Sequence, residues 1–189
     1  GTAGLFLLLA GLSMTLQRNG PGLPVPGHRH FRRGIVILGW GLLISAVTRW
    51  LLPGEYVVFG ILHLIGTVIL VSGPFIKWEK RNVAILGIFI ISLGIYLNQL
   101  RFPFSWLVWA GFIPEGFASI DYFPLFPWFG VILLGISLGK VFYGSRGRNF
   151  RGMDEPKHKI IQWLCFLGRN SLLIYLIHQP VLLFLAIFI

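Results

Sequence analysis

In 189 residues the chain is 56% hydrophobic and 15% aromatic but only 12% charged, with a mean hydropathy of +0.79, too apolar for a soluble domain of this length. A net charge of +10 would suggest nucleic acid in a soluble protein, but here the basic residues flank long apolar runs, which points to topology and anionic lipid instead. The single cysteine, Cys165, excludes an intrachain disulfide and any cysteine-based zinc or iron–sulfur site within the chain.

A spanning helix needs about 20 mostly apolar residues, or about 17 at the short end. Six segments qualify: 1–17, 34–52, 56–76, 83–99, 123–143 and 169–189. The predicted fold is therefore an all-α, polytopic transmembrane bundle of about six spanning helices, forming one domain over 1–189. The first run carries no charge and ends at Arg18; it is too long and too poorly flanked for a signal peptide. Because the sequence opens on Gly1 rather than Met, upstream residues are expected to be missing. A loop rich in Gly and Pro leads to His28-Arg29-His30-Phe31-Arg32-Arg33. The second helix runs to the turn Leu52-Pro53-Gly54-Glu55, flanked by Trp50 and Tyr56 as interfacial anchors. The third returns through His63 to Lys77-Trp78-Glu79-Lys80-Arg81, and the fourth ends near Asn98 and Gln99.

Residues 100–122 are apolar and aromatic, yet Pro103 and Pro114 argue against a continuous spanning helix. They read either as an interfacial or re-entrant flap or as an ordinary aromatic belt with a loop. The fifth helix opens on Asp121-Tyr122-Phe123-Pro124-Leu125-Phe126-Pro127-Trp128, with prolines in its first turn, and carries the small-residue face Gly135 and Gly139. The loop 140–159 is the longest and most basic, but its glycines lack the spacing and Gly-Lys-Ser/Thr ending of a phosphate loop. The last helix opens on Gly168-Arg169-Asn170-Ser171 and passes His178-Gln179-Pro180. Three stretches hold most of the Lys and Arg: Arg18 to Arg33, Lys77 to Arg81, and Lys140 to Lys159. Alternate connections hold only Arg49 and Arg101, so the positive-inside rule places the three basic stretches in the cytoplasm of a multi-pass cell-membrane protein.

His63 and His178 fall inside predicted spans, where ionisable residues are costly and usually face the bundle interior. Counted from the predicted helix ends at 1.5 Å per residue, both lie near mid-membrane and at similar depth, so they are candidates to line one cavity. A neutral imidazole there is able to accept a proton. The plainer reading is a histidine bonding a neighbouring helix. Pro180 frees the carbonyl of Leu176 beside His178, a feature tolerated where a helix lines a cavity or is packed by protein. Asp121 is the carboxylate best placed to orient or charge-stabilise a histidine; equally, it reads as the cap of helix five. Two histidines without intramembrane carboxylates do not make a metal site, and none is expected.

The blocks Phe59-Gly-Ile-Leu-His63-Leu-Ile-Gly66, Asp121-Tyr-Phe-Pro-Leu-Phe-Pro-Trp-Phe-Gly130 and Gly168-Arg-Asn-Ser-Leu-Leu-Ile-Tyr-Leu-Ile-His178-Gln-Pro180 resemble the prokaryotic branch of the heparan-alpha-glucosaminide N-acetyltransferase catalytic-domain family, as does Arg32-Arg33-Gly34. The resemblance implies a membrane-embedded acyltransferase that takes acetyl from cytoplasmic acetyl-CoA, its co-substrate, and delivers it to an extracytoplasmic acceptor, an amino sugar or glycan. Arg32, Arg33, Arg169 with its neighbour Asn170, and the 140–159 loop are then candidates for the nucleotide phosphates. His178 or His63 would serve as the base and the 106–121 stretch as the acceptor entrance. Family members begin with an Asp-x-x-Arg-Gly helix whose following histidine is commonly assigned to acetyl transfer, and this sequence does not contain that group. Expected partners are membrane lipid, an acyl-CoA and the acceptor, with no nucleic acid; a homo-oligomer is left open. The rival reading is a transporter or flippase using the same histidines as proton relays without covalent chemistry, and a third is an assembly subunit whose histidines only bridge helices.

Overall fold

The computed structural model describes residues 2–19, 27–51, 54 and 56–142. His178, Arg169, Asn170, Cys165, the loop beyond residue 142 and the sixth predicted helix lie outside the described residues. The described chain forms five helices: α1 (Thr2–Asn19), α2 (Gly27–Leu51), α3 (Ile61–Lys77), α4 (Lys80–Leu97) and α5 (Leu125–Phe142). A single 3-10 turn at Val108–Ala110 breaks the connection between α4 and α5. No strand occurs among the described residues; the extended pairings are two isolated bridges, Phe59 with Tyr122 and Phe102 with Pro114. The class is all-α, and α2, α4 and α5 are each long and apolar enough to cross a membrane. Helices α1 and α3 are apolar but shorter.

Each predicted helix among these five is present, with shifted ends. Helix α2 begins at Gly27, seven residues before the predicted start at 34, because the His-Arg cluster is polar without being helix-breaking. Hydropathy reads the span, not the helix. Conversely, α3 begins at Ile61 rather than 56. Residues 56–60 are instead drawn into hydrogen bonds with the segment before α5: Phe123 N–H donates to Phe59 O at 2.8 Å, and the Ser119 hydroxyl to Tyr56 O at 3.0 Å. In α5, Phe126 is non-helical (φ −97°, ψ 125°), so the regular helix starts at Pro127, whose missing N–H costs nothing there.

Helix α5 is the hub, flanked by α1 and α4 and touched by α3, while α2 packs on α3. Fully buried Leu64, Val68, Val83, Ile132, Leu133 and Ile136 fill the interior. Small residues set the close approaches. A Cβ on Gly130 would lie 2.5 Å from Gly87 O, bringing α4 and α5 almost backbone to backbone. The predicted face of Gly135 and Gly139 receives α1: Gly135 meets the Leu8 carbonyl, Gly139 meets Thr15, and Thr15 Oγ1 donates to Ile136 O at 3.2 Å. On α2 only a narrow stripe is buried (Gly34, Ile37, Gly41), and Ile35, Trp40, Leu43 and Trp50 are exposed, as suits a lipid-facing surface.

The bundle has two chemically distinct ends. Gly34 of α2 lies against Leu70, and Gly41 against His63, so α2 and α3 run antiparallel. Arg32 and Arg33 therefore share an end with Lys77, Lys80 and Arg81. Lys140 joins them: its Nζ donates to Phe75 O at 2.8 Å and also to Trp78 O, stapling the end of α5 to the last carbonyls of α3. The Ser137 hydroxyl donates to Lys80 O at 2.9 Å on the same level. The opposite end carries Arg49, Arg101, Glu115 and Asp121 among its described residues.

Candidate active site

The polar groups converge where α3 begins. His63 is the third residue of α3 and is 4% exposed. Its Nδ1 accepts the Gly60 N–H at 3.2 Å, and its Nε2 lies 3.3 Å from Ser45 Oγ on α2. Ser45 Oγ in turn donates to Val57 O at 2.6 Å. The ring leans on Phe59, with centroids 5.3 Å apart, and its other side fits the space left by Gly41, where a Cβ would come within 3.0 Å of Nδ1. Because α3 starts five residues later than predicted, His63 sits in the first turn of its helix, about 3 Å along the axis from Ile61. The expectation that His63 lies well inside its helix, counted from a start at 56, is corrected accordingly. What removes His63 from solvent is the extended segment 56–60 folded over it, not the length of the helix.

Asp121 reaches the same turn. Its Oδ2 accepts the Ile61 N–H at 3.2 Å, so Asp121 caps α3, not the fifth helix it precedes. Burial pushes its carboxyl above the usual carboxylate range, and the bond from Ile61 offsets this only in part. Oδ1 makes no hydrogen bond among the described residues. Ser119 fixes the loop behind it: its hydroxyl contacts Tyr56 O and Asp121 O, and its oxygen accepts the Val58 N–H at 3.3 Å. Tyr122 donates to Val108 O at 2.8 Å, and burial pushes its phenol up to about 12, so it stays a neutral donor.

Residues 98–124 form a folded cover over this end rather than a loose belt. Phe102, Phe104 and Phe112 cluster, with Phe102 and Phe112 edge to face at 4.9 Å, and Phe117 stands edge to face on Tyr122 at the same spacing. The strand-like bond from Phe102 N–H to Ile113 O closes the cover's base. Gly111, at φ 121°, makes the turn that brings it against the Phe126 carbonyl, a conformation that disfavours any side chain. Trp106 and Trp109 remain exposed at its surface.

Of the sequence-predicted site residues, His63 and Asp121 are brought to adjacent positions of one backbone turn. Arg32 and Arg33 are exposed at the opposite end, about 20 Å from Ser45 along α2. His178, Arg169 and Asn170 fall outside the described residues. Ser45, Ser119 and the Lys140 staple were missed. One signal for Ser45 was available: Gly34, Gly41, Ser45 and Thr48 lie at helical spacing, marking the single small and polar stripe of an otherwise bulky helix. Nothing comparable flags Ser119, whose partners lie 61 and 63 residues away. Among the described residues no group of three or more His, Cys, Asp or Glu could hold a metal ion.

No curated protein and no solved structure matches the chain. The profile of the family described as "Heparan-alpha-glucosaminide N-acetyltransferase, catalytic" matches residues 1–180, which covers every helix described above. With three helices long and apolar enough to cross a bilayer, this is a membrane protein, and it belongs to the heparan-alpha-glucosaminide N-acetyltransferase catalytic family.

Proposed function

We propose that the chain is a membrane acyltransferase that moves an acetyl group from cytoplasmic acetyl-CoA to the amine or hydroxyl of a sugar or glycan on the opposite face. The observation that carries this reading is the family match over 1–180. The separation of charge supports it. One end presents Arg32, Arg33, Lys77, Lys80 and Arg81, all exposed and suited to the phosphates of a nucleotide co-substrate. The other presents a half-buried carboxylate under an aromatic cover, suited to a polar acceptor. In this reading the basic end is cytoplasmic, and the chain is multi-pass in the cell membrane.

The reaction joins the acceptor nitrogen or oxygen to the acetyl carbonyl and breaks the carbon–sulfur bond; the acceptor's proton leaves and the thiolate of CoA takes one up. Asp121, held above the usual carboxylate range, is suited to receive the acceptor's proton. His178 is the second candidate for proton transfer. Arg169 and Asn170 are kept as candidates for the phosphates from the sequence alone.

The test is transfer of radiolabelled acetyl from acetyl-CoA to glucosamine-terminated oligosaccharides by the full-length protein in liposomes. Labelled product, lost in Asp121→Asn, is expected. Substrate accumulation inside the vesicles without any acetylated product would overturn the proposal in favour of a transporter.

A further inference from the structure

We infer that His63 is not a proton carrier but a positioning residue, locked by Ser45 as its Nε2–H tautomer, and that the pair holds the turn on which Asp121 acts. The hydrogen atoms can be counted. The lone pair of Nδ1 is filled by the Gly60 N–H at 3.2 Å. Ser45 owns one hydroxyl proton, and the Val57 carbonyl claims it at 2.6 Å, well inside the 3.3 Å that separates Oγ from Nε2. Oγ is thereby left as an acceptor toward the ring, so Nε2 must carry the imidazole proton. Each nitrogen has a protein partner, and the side chain is only 4% exposed. Taking up a proton at Nδ1 would require expelling the N–H of Gly60, the N-cap residue of α3.

This closed chain joins three segments: α2 through Ser45, the extended segment through Val57 and Gly60, and α3 through His63 itself. The next N–H after Gly60 is that of Ile61, the one Asp121 Oδ2 accepts. Any displacement of the imidazole therefore moves the donor that fixes the carboxylate. Gly41 and Phe59 close the remaining faces of the ring, so the side chain has no second position to adopt.

The kinetic part of the test rests on the acyltransferase reading; the spectroscopic part does not. In full-length protein labelled with 15N-histidine and reconstituted in bilayers at neutral pH, the His63 signals are those lost in His63→Gln. They are expected to show protonated Nε2 and unprotonated Nδ1, with Ser45→Ala shifting the Nε2 signal and leaving Nδ1 in place. A protonated Nδ1, or a ring protonated on both nitrogens, would overturn the inference whether or not the protein transfers acetyl. In the kinetic part, His63→Asn can accept the Gly60 N–H and His63→Gln can donate to Ser45, but neither side chain carries protons. Loss of a general base costs roughly 10²–10⁴-fold in rate. At least one of the two variants is expected to keep kcat within about tenfold of wild type, and Ser45→Thr to rescue Ser45→Ala. Both amides falling into the range of a lost base, with unchanged thermal stability, would show that His63 handles protons. If wild type forms no product, the acyltransferase reading fails while the spectrum still decides the role of His63.

Discussion

Replacing Gly66 by Ala should loosen the α2–α3 pair by an amount that follows from the helix separation. A Cβ at Gly66 would stand 2.7 Å from Leu38 N and 2.9 Å from Leu38 Cα, both backbone atoms that cannot swing aside. Ordinary contact begins at 3.4 Å, so the two helices must part by about 0.7 Å or tilt, in an interior too dense to absorb the change. Overpacking of this kind costs about 1–3 kcal/mol, offset by up to about 1 kcal/mol from alanine's better helix propensity. A net loss of about 1–2 kcal/mol is expected, or roughly 2–8 °C in the thermal midpoint for a chain of this size. Gly39 supplies the internal control, since it lies mid-helix on α2 with nothing within 4 Å of its Cβ position. Gly39→Ala should leave the midpoint unchanged or raise it. Thermal unfolding of both variants in the same detergent, followed by tryptophan fluorescence, makes the comparison. Equal midpoints for Gly66→Ala and Gly39→Ala would refute the argument that backbone contact, rather than glycine's flexibility, governs this interface.

Removing the staple with Lys140→Met should destabilise the bundle by about 1–3 kcal/mol, since two charge-assisted hydrogen bonds to the end of α3 are lost; the same unfolding assay reads it, and an unchanged midpoint would contradict it. Asp121→Asn can still accept the Ile61 N–H, so its fold should be retained while acetyl transfer falls by about 10²–10⁴-fold. Its pH behaviour has a definite sign. Burial holds the Asp121 carboxyl high, so the native state binds its proton more tightly than the unfolded chain does. Stability from this group is present below its unfolded pKa and declines as pH rises through its raised folded value. Unfolding midpoints taken from pH 4 to pH 7 should therefore fall more in wild type than in Asp121→Asn, and parallel curves would count against the burial. Substituting Arg32 and Arg33 together by Ala should raise KM for acetyl-CoA about tenfold with little change in kcat, an effect that shrinks with added salt because both side chains are exposed. A change confined to kcat would place the phosphates elsewhere.

The helices were legible in the sequence because hydropathy and helical length are local properties, and all five described helices fall on predicted runs. What hydropathy misplaced were starts. The His-Arg cluster of α2 is helical yet unfit for a membrane interior, and residues 56–60 are apolar yet extended. The second shift mattered more, since it moves His63 from the interior of a predicted helix to the first turn of α3. Its partner Ser45 comes from a different helix, and no spacing rule links the two positions. Asp121 stood out in the sequence as a carboxylate beside the fifth helix, but the helix it caps begins 60 residues upstream, where only the fold could bring the two together. The aromatic cover, by contrast, was half visible, because Pro103 and Pro114 argue against a continuous spanning helix.

The order of the helices along the chain imposes a waiting time on biogenesis. Thr15 of α1 finds its acceptor on Ile136 of α5, 121 residues later. At roughly 5–20 residues per second of translation, the first helix waits about 6–24 s for the glycine face of α5, while α2 and α3 can already pair as neighbours. Slowing the ribosome between α4 and α5 should therefore prolong the time α1 spends without its partner and make this protein more prone to quality-control degradation.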